Sequence, residues 1–332
     1  DAKQLRGYMA AAATDNYAST GNKVTDSGNI IVVDSIAPTM EAEYSAADRV
    51  VGNTSYYSDI AEVTFTVTEA NFYAEDVVVM VAKDGGTPYA VTPKWTDKNV
   101  DTHVGTFTLS GDGDYVITVN YTDRSTNHMT PYVSHMITID TIQPIIDVVY
   151  ENTNVINTLT DRDGMEREYF ADTQTAVITI TEHNFNAEDV VFDMKATDVT
   201  GTELDVNSLH VKSEWKAGEK PDTHVLTITY PGDANYIFDM AYSDLATNAS
   251  ADYATDYFTV DNTTPINLNV AYSTSILETI LEAITFGFYD AKVDVTLTAD
   301  DEVSGVHEFM YSYTIADGVS AVNAELINQA IT

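Results

Sequence analysis

The chain of 332 residues is longer than one small core requires, and with 44% hydrophobic residues it can bury two or three cores of roughly 100–150 residues each. Fifteen Lys and Arg against fifty-two Asp and Glu leave a formal net charge of −37, which argues against nucleic acid and anionic membrane surfaces as partners and makes cations the natural counterpart. No cysteine is present, so disulfides, thiolate metal sites and cysteine nucleophiles are excluded together.

The 21 Tyr and 11 Phe are spread through alternating, β-like sequence, which separates this chain from an acidic disordered tail. No stretch reaches the roughly 18 apolar residues of a membrane helix, so no membrane insertion is expected in this fragment. The N-terminal DAKQLRGYMA is not a signal peptide. A signal for export is expected outside the segment.

In chain order, residues 1–37 carry two strand-like stretches, one around GYMAAAATDNYAS (7–19) and one ending at VVD (32–34). Asp34 then precedes Pro38 by four residues, and the same junction returns as Asp140 before Pro144 and Asp261 before Pro265. These junctions place domains at 38–143 and 144–264, with partial ones at 1–37 and 265–332. The partial segments together amount to about one repeat, so the chain is expected to be a window in a longer array. Strand exchange with another copy through exposed edges is the alternative.

Seven strand-like runs fill 38–143: MEAEY, EVTFTV, DVVVMVA, PYAVTPKW, HVGTFTLS, DYVITVNYTD and YVSHMITID. Gly, Pro, Asp and Asn separate them and no amphipathic helix intervenes, which predicts a β-sandwich. Tyr115, Ile117, Val119 and Tyr121 share one face at period two, as do Tyr236, Phe238, Met240 and Tyr242. Between the two units TEANFYAEDV (68–77) recurs as TEHNFNAEDV (181–190), a constant 113 positions later.

The VDxxxP junctions, the TD or SD turns after the Tyr strand, and VTLTADDEVSGVHEFMYSY (295–313) resemble the bacterial immunoglobulin-like repeats of large cell-surface and cell-wall proteins of the adhesin type. The likeness covers essentially the whole chain. The last unit writes TADDEVSGV where the others have TExNFxAEDV, and is read as a different subtype. The resemblance implies an all-β fold of tandem immunoglobulin-like β-sandwich domains in an elongated array, outside the cell on a bacterial surface or wall. It implies a spacer or stalk, not an enzyme, whose partners are neighbouring domains of the same chain. A module binding a host glycan or protein is the alternative, and an accessory region of a secreted carbohydrate-active enzyme is a third. Some members carry calcium at interdomain junctions and others bind no metal.

In the A-to-G lettering of such sandwiches, the decapeptide is the B–C connection and the turn at Asp123 is the F–G connection. Both lie at the pole where strand A enters. Topology therefore gathers Asp34, Glu69 and Asp123 in one unit, Asp140, Glu182 and Asp244 in the next, and Asp261 with Asp300 in the last. Three converging acids repel one another unless a cation neutralises them, and calcium, with six to eight oxygen ligands at about 2.3–2.6 Å, fits that chemistry. Asn71, Asn127 and loop carbonyls would complete the shell. The competing reading is that Asp and Asn simply start turns by bonding the backbone two residues on.

Phe72 and Phe185 read as plugs pinning the loop, and Glu75, Asp76, Glu188 and Asp189 as solvated. The repeated DTHV places His103 and His224 at the start of strand E, expected at the pole opposite the acids; no Ser or second acid recurs beside them, so a turn-capping Asp and a packed His are expected, not catalysis. Trp95 and Trp215 are expected in the core. Lys83 and Lys195 are one position out of register, which gives no support for a crosslink to asparagine. No glycine-rich phosphate loop or hydrolase motif is present.

Overall fold

The computed structural model describes residues 5–9, 29–161, 164–273, 294–306 and 308–311. The expected strand stretch at 10–19 and the end of the 295–313 motif lie outside them. The described chain is almost wholly β, and no described helix is long and apolar enough to cross a membrane. It divides into two compact units, Asp1–Gln143 with Ser243–Ala249, and Pro144–Tyr242 with Ser250–Thr332.

The first unit contains β1 (Leu5–Met9), β2 (Asn29–Val33), β3 (Thr39–Tyr44), β4 (Arg49–Val51), β5 (Thr54–Tyr57), β6 (Ala61–Thr68) and β7 (Val77–Lys83). It continues with β8 (Tyr89–Val91), β9 (Lys94–Asp97), β10 (Thr102–Leu109), β11 (Gly113–Tyr121), β12 (Tyr132–Val133) and β13 (Met136–Ile139). β1 and β2 pair antiparallel. The rest form a sandwich of one sheet in the order β3-β6-β10-β9 and another in the order β4-β5-β13-β11-β7-β8, with β12 also on β11.

Alternation builds the core between these sheets. On β6, Ala61, Val63, Phe65 and Val67 are buried, and on β11, Tyr115, Ile117, Val119 and Tyr121 are buried, while the residues between them are not. Each large apolar side chain in these rows contributes about 1.5–3 kcal/mol of burial, and register errors are costly because a slip by one would turn the whole row outward.

Two features depart from the seven expected runs. Residues 49–58 supply β4 and β5, with β5 paired parallel to β13, so the first strand crosses from one sheet to the other after Tyr44. PYAVTPKW is two strands on opposite sheets: β8 pairs β7 and β9 pairs β10. Pro93, lacking an N–H and fixed in φ, ends the first before the second begins. An immunoglobulin hallmark also appears at the turn before β11, where the Tyr115 hydroxyl donates to the carbonyls of Ser110 (2.9 Å) and Gly111 (2.6 Å).

The second unit repeats the plan with β14 (Ile145–Tyr150), β15 (Asn157–Thr160), β16 (Glu166–Phe170), β17 (Gln174–Thr181), β18 (Val191–Thr197), β19 (Glu203–Leu204), α1 (Val206–Leu209) and β20 (Val211–Lys212). β21 (Lys216–Ala217), β22 (Thr223–Tyr230), β23 (Ala234–Ala241) and β24 (Asp256–Val260) complete the sandwich, and β25 (Ile266–Ser273) pairs β26 (Asp294–Asp300) antiparallel. The sheets run β14-β17-β22-β20 and β15-β16-β24-β23-β18-β19. Tyr236 repeats the hydroxyl bond of Tyr115, donating to Leu209 O and Gly232 O.

Candidate metal centre

The first unit gathers its three acids. Asp34 follows β2, Glu69 follows β6 and Asp123 follows β11, and one carboxylate oxygen of each lies within 4.8 Å of the others. Glu69 and Asp123 are buried, each with only 3% of its surface exposed. Local bonds set their positions. Asp34 Oδ1 accepts from Ile36 N at 3.0 Å, closing the turn two residues on, while Oδ2 accepts from Asn71 Nδ2 at 2.7 Å. Glu69 Oε1 accepts from Asn71 N at 2.6 Å. Asp123 accepts from Asn127 N and Nδ2, both at 2.8 Å, and Asn127 Nδ2 also reaches the Asp34 carbonyl at 3.2 Å. The turn-forming and cluster-forming readings of these acids therefore coexist: at Asp34 one oxygen makes the turn and the other faces its neighbours.

The asparagines depart from the expected ligand set. Both present amide nitrogens to the acids, so they brace the carboxylates, and oxygen ligation would require the amides to rotate. The remaining donor set is three carboxylates and the Asp34 carbonyl. Two ligands on opposite sides of a calcium ion stand about 4.6–5.2 Å apart, so oxygens within 4.8 Å fit around one hard cation.

Behind the cluster stands an aromatic wall. Phe72 stacks on the His103 ring at 4.2 Å between centroids and packs against Trp95 and Tyr121 at 4.9 and 5.7 Å, which is the plug its position suggested. Trp95 in turn lies close over the backbone at Gly105, where a Cβ would come within 2.8 Å of the ring. His103 overturns its expected placement. Because β10 runs antiparallel to β6, with Thr102 opposite Thr68, the start of β10 meets the end of β6 at the acidic pole. There the ring bonds the Glu69 carbonyl through Nε2 at 2.9 Å and the Asp97 carboxylate through Nδ1 at 2.7 Å, and Glu69 N donates to Asp101 O. The repeat of DTHV beside TExNF carried this signal, since neighbouring antiparallel strands share an end.

Glu75 and Asp76 are not merely solvated: Arg124 bonds them at 2.6 and 3.0 Å and lies 3.3 Å over the Tyr73 ring. The turn Asp123–Asn127 also holds Thr126 at φ 69°, an uncommon conformation for a β-branched residue, and Thr247 repeats it at 72°.

Asp140 and Asp244 come together in the first unit. Asn248 Nδ2 donates to the Asp140 carbonyl and to Asp244 Oδ2, both at 2.8 Å, and Ile142 N closes the turn on Asp140 Oδ1. Both acids are buried. Burial pushes the Asp244 carboxyl above its ordinary value; the bonds from Asn248 offset part of this and the Asp140 charge adds to it. Glu182 belongs to the second unit, where it copies Glu69: Oε1 accepts from Asn184 N at 2.6 Å, its N donates to Asp222 O, and His224 Nε2 meets its carbonyl at 3.0 Å. Phe185 stacks on His224 at 4.1 Å and packs on Trp215 at 5.0 Å.

Asp261 and Asp300 belong to no group of three or more described acids within 4.8 Å. Asp261 caps Thr263 N and receives Ser304 N at 3.3 Å, while Asp300 accepts from Asn267 Nδ2. The next residue, Asp301, organises the turn that reaches Asp261, accepting from Val303, Ser304 and Gly305 N.

No protein-family model matches the chain, and no curated protein matches its sequence. Among solved structures, FdeC, described as a broadly conserved Escherichia coli adhesin eliciting protection against urinary tract infections, is similar over 71% of this chain and 67% of its own at 10% identity. The TM-score is 0.29, too low to assign fold or function.

Proposed function

We propose that this chain is a run of sandwich repeats in a bacterial cell-surface protein of the adhesin type, acting as a non-enzymatic spacer whose linker acids bind calcium. One observation carries the reading: Asp34, on the segment leading into the first sandwich, shares a cluster within 4.8 Å with the buried Glu69 and Asp123 of that sandwich. A cation held there would tie the linker to the domain it enters. Glu69, Asp123 and Asp34 would supply carboxylate oxygens, and the bonds from Asn71 and Asn127 hold those carboxylates in place. The ion itself would supply charge neutralisation; no chemical step follows. The acids on the other linkers, Asp140 and Asp261, and the repeated Glu182 and Asp244, extend the proposal along the chain.

Calorimetric titration of the whole chain with calcium, paired with small-angle scattering before and after chelation, tests it. Binding with a change in maximum dimension is expected. An unchanged dimension and melting temperature after chelation would remove the metal from the proposal. At a free ion concentration one hundred times Kd, binding adds about 2.7 kcal/mol to stability. Glu69→Gln with Asp123→Asn should abolish that gain.

A further inference from the structure

The second sandwich carries a cavity of about 420 Å³ whose walls include Tyr150, Glu166, Glu168, Phe170, Asp256 and Phe258. Glu166, Glu168 and Phe170 alternate along β16 and so share a face, and Glu168 stands opposite Phe258 on the parallel neighbour β24, where Asp256 is two residues earlier. Phe170 and Phe258 are core residues, exposed by only 3%. The three acids therefore line the open rim of this row, the two glutamates exposed and Asp256 half-buried. Asp256 Oδ2 accepts from the hydroxyls of Tyr150 at 2.8 Å and Tyr253. Burial first, and the Asp256 charge second, push the Tyr150 hydroxyl upward, which keeps it a donor.

Among the described residues no Lys or Arg lines the cavity. Arg167, between the two glutamates in sequence, is committed elsewhere: it donates to the carbonyls of Tyr236 and Phe258 at 2.8 and 2.9 Å and to Asp161 at 3.4 Å.

The first sandwich is an internal control. The positions 113 residues before Glu166 and Glu168 are Asn53 and Ser55, and the position 121 before Asp256 is His135. There Ser55 Oγ bonds His135 Nε2 at 3.0 Å, the His135 ring sits edge-on to Tyr44 at 4.9 Å, and the Tyr44 and Tyr132 hydroxyls meet at 2.7 Å. Where Ser55 and His135 bond each other in the first repeat, Glu168 and Asp256 stand in the second beside the cavity, with Asp256 held by the Tyr150 and Tyr253 hydroxyls.

We propose that this cavity binds an organic cation, a primary ammonium or guanidinium group on an aliphatic stem. The carboxylates would neutralise the charge and the aromatic rings would pack the stem. A bare metal ion would leave most of such a volume and its aromatic walls without a partner. Donors in the lining are partly committed, Gln174 to Asn152 O and Thr255 to Asp239, while its charged groups are all carboxylates, which favours a cation over a neutral sugar. The cation's source is either a free polyamine or the basic side chain of a partner protein. The proposal stands independently of the linker calcium.

The test titrates the full chain with spermidine, butylammonium, capped lysine, a lysine-rich peptide and capped norleucine, each with calcium and with chelator. Saturable binding of the amines is expected, independent of chelation, with norleucine inert. Glu166→Gln with Glu168→Gln should weaken it about tenfold or more. Both side chains are exposed, so that variant should keep its melting temperature, and Asp256→Asn gives a second, independent loss. Binding by free amines and not the peptide identifies a small-molecule source, and preference for the peptide identifies a partner side chain; either supports the proposal. Equal binding of norleucine, undiminished binding by both variants, displacement by calcium, selective binding of methyl glycosides, or no binding of any probe at about 10 mM would overturn it.

Discussion

The linker aspartates show how one side chain serves two roles. Asp34, Asp140 and Asp261 each accept from the backbone N–H two residues on, through Oδ1, whether or not the second oxygen meets other acids. That local role follows from the general habit of aspartate in turns, whereas the choice between Asp300 and Asp301 depended on how the turn after β26 closes and was not legible in the sequence. The strained Thr126 was equally hidden, because no sequence pattern reports a positive φ at threonine. Replacing Thr126 with Asn, which tolerates the left-handed region, should raise stability by about 1 kcal/mol, read by urea denaturation in chelator. Asp112 gives a pH signature: the Thr141 N–H and hydroxyl, at 2.7 and 2.8 Å, hold its carboxyl below the ordinary value of 3.8. Its stabilisation is present above that unfolded value and lost as pH falls through the lower folded one. Asp112→Asn should therefore melt below the parent at pH 7, and the gap should close under strong acid. Asp244, raised by burial, has the opposite sign: the ionised form costs stability as pH climbs from the unfolded value through the folded one.

Strands were the most legible level, since period-two rows match burial residue by residue: Val63, Phe65 and Val67 on β6, and Ala176, Ile178 and Ile180 on β17. What escaped was how strands are shared between sheets. β5 and β8 are four and three residues long, too short for alternation to register, and nothing in the pattern of PYAVTPKW marks a change of sheet at Pro93. The misplaced histidine has the same origin: strand E lies where the pattern puts it, but its antiparallel pairing with strand B brings its start to the end where His103 meets Glu69. The loop is pinned by the aromatic stack of Phe72 with His103, Trp95 and Tyr121. Phe72→Ala should cost about 2–3 kcal/mol and weaken any calcium binding with it, measured by denaturant midpoint and titration together. Tyr115→Phe should cost about 1 kcal/mol without affecting calcium, since it loses only the hydroxyl bonds at the opposite turn.

At the scale of the whole chain, a formal charge of −37 makes self-repulsion a standing cost of folding. Raising monovalent salt from about 0.01 to 0.15 M shortens the screening length from about 30 to 8 Å, so the melting temperature in chelator should rise with salt. Calcium should raise it further at constant ionic strength if the linker acids bind it, whereas potassium at the same ionic strength should not. Repetition at fixed offsets announced duplicated sandwiches, but the cavity in the second one was not visible that way, because repetition reports only what is kept. Glu166, Glu168 and Asp256 are differences between copies, and their common location appears only when strands β16 and β24 are laid side by side.

The parallel pairing of β5 with β13 has a mechanical consequence. Four residue pairs, from Thr54 with Met136 to Tyr57 with Ile139, join a strand near the start of the sandwich to the strand that ends it. A pull along the chain would slide these strands past one another, loading their hydrogen bonds in shear so that they fail together and not one at a time. The matching β16–β24 ladder has three pairs, Glu168 with Phe258 through Phe170 with Val260. Stretched between a fixed anchor and a moving load, the second sandwich should be the first of the two to yield.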